Sequence, residues 1–340
     1  MSTADAAPVL KGPHARRRFT QLLAKVDVIL LDASAIVHDA LPGQVVFQSN
    51  GRTPVFMLEA LGRVYDKLDL DAKLFERIRL ETKIVEDALG AVDFWAVLRK
   101  KAVGWSLPAG VKQLCDQWYF DACGRAWAWI KSQNWITSRY HPEAELLSDK
   151  FRRKLKGIEW HAPHKEAKAL RKWLSKELLN THEKVQELDL TQIEAGLHKA
   201  RREIRWPSIY FTAVEGGFVL DRDASPPANW DRYMAKSIVD SPFNNWNAPE
   251  ADDVPIHVPA PLQYALSYAI DQLGVIKDKA QWTETVEHLV HLTGEKADVR
   301  ALMGESYLAA SDATDQGRAV LEQVLQKDQV LLRLSEGMRI

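Results

Sequence analysis

The alternation of apolar and polar positions along this chain follows a helical period. Phe56 to Tyr65 places apolar side chains on one stripe. Leu74 to Ala102 continues as a long amphipathic pattern with Glu and Arg on its wet side. Pro108 and Gly110 punctuate the chain, and Val111 to Trp135 follows as a tryptophan-rich run expected in the core. Pro142 leads into a further segment, Leu146 to Ile158, and the same period recurs over Ala167 to Leu190 and Gln192 to Trp206. Residues 221–261 differ, with seven prolines, aspartate-rich patches and little periodicity, so a long surface loop or insertion is expected there. Helical patterns return from Leu262, including Trp282 to Leu292 and Asp315 to Leu334. Strand-like alternation is confined to Gln44 to Gln48. The pattern predicts an all-α fold.

Two stretches within that pattern repeat each other. Arg52, Pro54 and Ala60, with apolar residues between them, recur as Arg205, Pro207 and Ala213. Asp87, Leu89 and Gly90 recur as Asp271, Leu273 and Gly274. The order is kept, and the longer spacing of the second copy falls in the 221–261 stretch. Two related halves are therefore expected, with Pro54 superposing on Pro207 and Gly90 on Gly274. The prolines imply a break or kink in each helix.

Composition narrows the class. With 340 residues, 46% apolar and 27% charged, the chain has the makings of a sizeable core. A net charge of −1 and a pI near 6.8 exclude an all-over basic nucleic-acid binder but leave room for a local basic face. Cys115 and Cys123 are too few for a disulfide framework and fit a reducing compartment. Met1 to Pro13 is small and polar, Arg16, Arg17 and Arg18 follow, and the most apolar run, Val28 to Val37, is short and carries Asp32. A cytoplasmic protein without a membrane span is expected.

The charge that is present is segregated. From Lys150 to Lys176 there are ten basic residues, among them Arg153, Lys154, Arg171 and Lys172, against Glu159 and Glu166 alone. Such asymmetry makes a directed field that attracts polyanions. A sharper constellation is His198, Arg201, Arg202 and Arg205. At about 100° per residue these four occupy roughly one quarter of a helix circumference. Guanidinium forks bind phosphate oxygens in pairs and stay charged, and a histidine adds a donor or a charge. The alternative for both groups is a solvated basic surface. If both serve one polyanion, they should line one concavity.

The spacing His198-x-x-Arg201-x-x-x-Arg205, followed by Leu262 and then Asp271-x-Leu273-Gly274-x-x-x-Asp278, resembles the second half of a CHAD (conserved-histidine α-helical) domain. Glu86, Asp87, Leu89, Gly90 and Asp93 resemble the matching element of that family's first half. The resemblance covers about residues 50–290. It implies a helical bundle of two pseudo-symmetric halves around a basic central cavity that binds inorganic polyphosphate. Aligning Arg52 with Arg205 puts Val45 and Gln48 where His198 and Arg201 stand, so Arg52 alone represents the first half. Val92 and Lys277 occupy positions where the family often has Arg. On this reading residues 1–49 form an N-terminal extension and 50–220 hold the first half and the start of the second. The proline-rich insertion spans 221–261, and 262–340 complete the second half with C-terminal helices.

Other chemistries find less support. His161 with His164, and His288 with His291, have pair spacing but lack the acid or cysteine partners that close a metal site. No P-loop, G-x-S-x-G elbow or dinucleotide fingerprint is present, and no cofactor is expected. His198 amid arginines could accept a phosphoryl group. Trp118, Trp127, Trp129 and Trp135 read as core, while Trp160, Trp173 and Trp206 beside basic runs keep a nucleic-acid platform open. The leading expectation is thus a polyanion binder without catalysis. The alternatives are a helical scaffold for an acidic protein or nucleic acid, discriminated by a large exposed apolar patch, and a phosphate-handling enzyme, discriminated by a carboxylate or metal beside His198.

Overall fold

The computed structural model describes residues 13–35, 41–137 and 143–340, so most of the Met1–Pro13 stretch, the end of the Val28–Val37 run and Pro142 lie outside it. The described chain is 73% helical and 3% strand. In chain order the helices are α1 (His14–Ser34), α2 (Pro42–Gln48), α3 (Arg52–Tyr65), α4 (Ala72–Gly104), α5 (Ala109–Ser132), α6 (Leu147–Lys156) and α7 (Pro163–Gln186). They continue with α8 (Lys199–Ala213), α9 (Lys236–Val239), α10 (Ala260–Thr293), α11 (Val299–Met303), α12 (Ala310–Leu321) and α13 (Val330–Gly337). Among the described residues, no helix is long and apolar enough to cross a membrane.

Local chemistry sets several boundaries. Asp71 caps α4, its side chain accepting from the Leu74 N–H, and α10 ends at Gly294, whose φ of +69° is the left-handed conformation suited to glycine. The strand expected over Gln44–Gln48 is instead α2. Pro42 sits in its first turn, and the residues it buries are Gly43 and Val46, one helical turn apart, not alternate positions. Gly43 lies against the α5 backbone, where a Cβ would overlap the Cys123 carbonyl. Pro54 stands in the first turn of α3 and needs no break, while Pro207 is inside α8, which runs through it uninterrupted.

α3 folds back on α4, and α4 on α5; α8 packs against α3, α7 and α10. Helix α1 is part of the main core, where its Phe19, Leu23 and Leu30 join Leu58, Leu61 and Phe75. Each such side chain contributes on the order of 1.5–3 kcal/mol on burial. A second core at the far end of α4, α5 and α10 holds Leu98, Trp105, Val111, Val286 and Leu289. Trp135 is fully buried, whereas Trp129 is 48% exposed and departs from its expected core position.

The 221–261 stretch is ordered. Strand β1 (Phe218–Asp221) enters it and β2 (Ile256–Pro259) leaves it, paired in parallel, and Tyr233 reaches back to donate to Asp328 near α13. Asn244 is fully buried and its Nδ2 donates to the Ile238 carbonyl at 2.8 Å. Prolines suppress periodicity here without preventing folding, since short turns can be held by side-chain bonds.

Candidate anion site between α3, α4, α8 and α10

A turn of π-helix over Ile193–His198 runs directly into α8. It delivers His198, Arg201, Arg202 and Arg205 to one cavity of about 510 Å³, whose other walls are Arg52, Phe56 and Arg63 of α3, Glu86, Gly90 and Trp95 of α4, and Lys277, Asp278 and Trp282 of α10. The four residues singled out on one helical face, together with Arg52, therefore meet.

The two D-x-L-G glycines have a common use. A Cβ on Gly90 would stand 3.0 Å from Arg52 Nη2, and one on Gly274 would stand 3.1 Å from Arg201 Nη2. Each glycine is a floor on which a flat guanidinium rests, and a larger residue would lift it. The counterpart of Arg52 in this contact is Arg201, one helical turn before the Arg205 with which the sequence match aligned it. Pro54 and Pro207 consequently do not correspond when the glycine contacts do.

The two guanidinium groups differ in their partners. Arg52 donates from Nε and Nη2 to Glu86 Oε1 at 3.0 and 2.7 Å, and from Nη1 to Asp93 at 2.6 Å. Arg201 donates from Nε to the Ile270 carbonyl at 3.2 Å and has no carboxylate in ion-pair range among the described residues. Arg205 lies 4.7 Å above the Phe56 ring and, among the described residues, has neither a hydrogen bond nor an ion pair. Arg63 covers Trp206 at 4.1 Å and binds Glu59 at 2.7 Å. The remaining acids of the wall, Asp87 and Asp278, pair with Lys83 and Lys277. Glu86 and Asp93 share Arg52, so the five carboxylates lining the cavity pair with four of its seven arginines and lysines, and among the described residues Arg201, Arg202 and Arg205 have no ion pair.

Burial, then repulsion from Arg201 and Arg52, lowers the Arg205 pKa to about 10. Burial also lowers that of Arg201, against the pull of Asp278 and Asp271. His198 faces Glu194, with Nδ1 and Oε2 2.8 Å apart, yet burial foremost, with Lys277 and Arg202 nearby, holds its pKa below the usual imidazole value. His182 of α7 is shifted the same way, by burial. Both are bases that unfolding returns to their ordinary pKa near 6.5. The unfolded chain therefore binds more protons, and stability is expected to fall as pH drops through about 6.5 toward the depressed folded values. Urea midpoints at pH 7.5 and 5.5 measure this; in the double variant His182→Gln with His198→Gln the difference should shrink, and an unchanged difference would locate the sensitivity elsewhere.

The second basic group does not join this cavity. Arg153 is exposed on α6 and paired with Glu145 at 2.9 Å. Lys154 lines a separate groove with Trp160, His161 and Lys165. Arg171 and Lys172 are exposed on α7 and line neither. Helix α7 points Leu170, Leu174 and Leu178 inward, so its lysines and arginines face water. His161 Nε2 lies 2.8 Å from the Leu68 carbonyl, and His288 packs near Trp118. Among the described residues, no group of three His, Cys, Asp or Glu is placed to hold a metal ion.

Trp206, singled out beside a basic run, is in the wall, whereas Arg63 and Phe56 were not expected there. Arg52, Phe56, Glu59 and Arg63 recur at three- and four-residue spacing on α3, which was the available signal. Comparison of the chain with family models, curated proteins and solved structures finds no match.

Proposed function

We propose that this protein binds a phosphate-bearing anion in the cavity between α3, α4, α8 and α10. The observation that carries this reading is that Arg201, Arg202 and Arg205 line the cavity with no ion pair among the described residues, while each carboxylate of its wall already pairs with Arg52, Arg63, Lys83 or Lys277. Arg202 is exposed, but Arg201 and Arg205 are partly buried, and burying like charges together is costly unless a counter-charge arrives. Arg205 in particular has five N–H donors and, among the described residues, no hydrogen-bond acceptor. Phosphate oxygens are suited to such forks.

In this reading the α3–α4 and α8–α10 pairs are two pseudo-symmetric halves, related through Arg52 on Gly90 and Arg201 on Gly274. The resemblance to CHAD domains makes inorganic polyphosphate the leading ligand. Arg52 is held by Glu86 and Asp93, so the first half supplies a wall and the second half the grip. The basic surfaces of α6 and α7 act at a distance, raising the local concentration of polyanions.

The test is a binding titration with long-chain polyphosphate, RNA and heparin, repeated across salt. Affinity for polyphosphate should fall steeply with salt as counterions are released, and rise with chain length. Arg205→Ala should weaken binding by about 1–3 kcal/mol and flatten the salt slope. Equal affinity of the wild type and Arg205→Ala, without salt dependence, would promote the scaffold alternative.

A second reading has one observation in its favour. The Glu194 carboxylate beside His198 is the partner that a phosphate-handling enzyme would require. Release of inorganic phosphate from polyphosphate, absent in His198→Gln, would support it; a bound but unconsumed polymer would leave the protein a binder.

A further inference from the structure

Arg52, Arg201 and Arg205 also border a second cavity, of about 630 Å³, with a different chemistry. Its walls set Phe47, Met57, Ile238, Phe243 and Val275 among the arginines and several serines and threonines, so it is the more apolar of the two cavities, where the first is charged and aromatic. One wall, from Ile238 to Phe243, is supplied by the 221–261 stretch, and that wall is firmly held. Gln263, fully buried, donates from Nε2 to Asn244 Oδ1 at 3.0 Å and approaches the Ser208 and Ser267 hydroxyls at 3.3 and 3.2 Å. Both serines line the cavity, and the Gln263 Oε1 has no partner. At the rim, Phe243 is 62% exposed and Val275 51% exposed.

We propose that this second cavity takes the apolar portion of an amphiphilic phosphate ester whose anionic head sits on Arg201 and Arg205. The inference rests on the anion-binding reading above and narrows its ligand class. A bare phosphate chain has no use for such a wall, because oxygens pressed against Met57 and Ile238 would lose their water partners without replacement. An alkyl group there leaves water and gains free energy for each methylene buried. The size suits it, since ligand cavities of some 300–1,000 Å³ are characteristically apolar with a few placed polar groups. Pairing and exposure weaken the opposition of the bordering carboxylates to the head group. Asp93 and Asp278 are paired with Arg52 and Lys277, and Asp271 is exposed to water. The 221–261 stretch thereby acquires a role as one wall of the site.

The test titrates the full chain with inorganic phosphate, tripolyphosphate, and butyl, hexyl and octyl phosphate below their aggregation concentrations, with octyl glucoside as the neutral control. Octyl phosphate should bind at least about tenfold more tightly than butyl phosphate, as expected for four added methylenes only partly removed from water. Octyl glucoside should bind far more weakly than octyl phosphate. Arg205→Gln should weaken every phosphate ligand. Phe243→Ser, at an exposed position that carries none of the core, should reduce the advantage of octyl over butyl. If tripolyphosphate binds but the alkyl series shows no dependence on chain length, the inference fails and the anion reading stands. If octyl glucoside matches octyl phosphate, or the Phe243 variant keeps the full chain-length dependence, the inference also fails. If no phosphate ligand binds, both readings fall.

Discussion

Glu166→Gln is expected to cost the fold about 3–5 kcal/mol, because it leaves a buried guanidinium without its counter-charge. Arg18 is 6% exposed and Glu166 8% exposed, and Arg18 Nη1 donates to Glu166 Oε1 at 2.8 Å and to the Tyr65 hydroxyl at 2.6 Å. Tyr65 donates to the same Glu166 oxygen, and Arg18 Nε reaches the Glu215 carbonyl at 2.7 Å. One polar knot thus ties α1, α3, α7 and the exit of α8. Burial alone would lower the Arg18 pKa, yet Tyr65 and Glu166 together carry it above the ordinary guanidinium value. Removing either charge should be severe, whereas replacing both with apolar residues of similar volume should cost less than the sum. Urea unfolding followed by tryptophan fluorescence reads the change as a shift of midpoint at constant slope. A loss below about 1 kcal/mol for Glu166→Gln would mean that water reaches Arg18 and that the knot is not what closes the N-terminal helix onto the core.

Replacing Arg201 and Arg205 together by Met is expected to have opposite effects on binding and stability. Each guanidinium is assigned about 1–3 kcal/mol of phosphate binding, so the pair should weaken it by roughly 2–6 kcal/mol, or from about thirtyfold to about twenty-thousandfold. The unliganded fold should gain stability. Arg205 is held near a pKa of about 10 by burial and by its neighbours Arg201 and Arg52, which means that its charge is disfavoured where it stands. Allowing for partial solvent screening, relief is on the order of 1 kcal/mol. Melting temperatures with and without ligand distinguish the outcomes. The wild type should be the less stable protein alone and the more stable one with saturating polyanion. A double variant that melts lower in both conditions would assign these arginines to the fold and not to a ligand, since residues that serve only stability have no reason to be mutually repulsive.

The helices were legible wherever an apolar stripe at the helical period ran for several turns, as over Leu74–Ala102, which became α4. Misreadings came where a residue's role is to meet another element. Val45 and Phe47 look like alternating strand positions, but Gly43 allows α2 to lie on the α5 backbone, and that contact turns Val46 inward. In the site, His198, Arg201, Arg202 and Arg205 were legible as one face because a helix fixes their relative directions. Their surroundings were not. Lys150–Lys176 holds the densest positive charge in the chain, yet α7 directs it to water, and the cavity draws its surplus from three arginines instead.

By itself, the sequence determined that the chain is helical, that the proline-rich stretch differs from the rest, and that one face of one helix concentrates histidine and arginine. These are consequences of periodicity and of backbone restriction, which act between near neighbours. Only the tertiary structure decided which charges remain free. Arg52 and Arg205 are alike in sequence, each two residues before a proline, but Glu86 and Asp93 neutralise the first while the second lies over the Phe56 ring with no hydrogen bond or ion pair among the described residues. Likewise, only packing revealed that Gly90 and Gly274 are floors for Arg52 and Arg201, so the arginine that meets the second glycine is Arg201 and not Arg205. Electrostatic compensation and close approach are set by distances between residues far apart along the chain, and no local pattern encodes them.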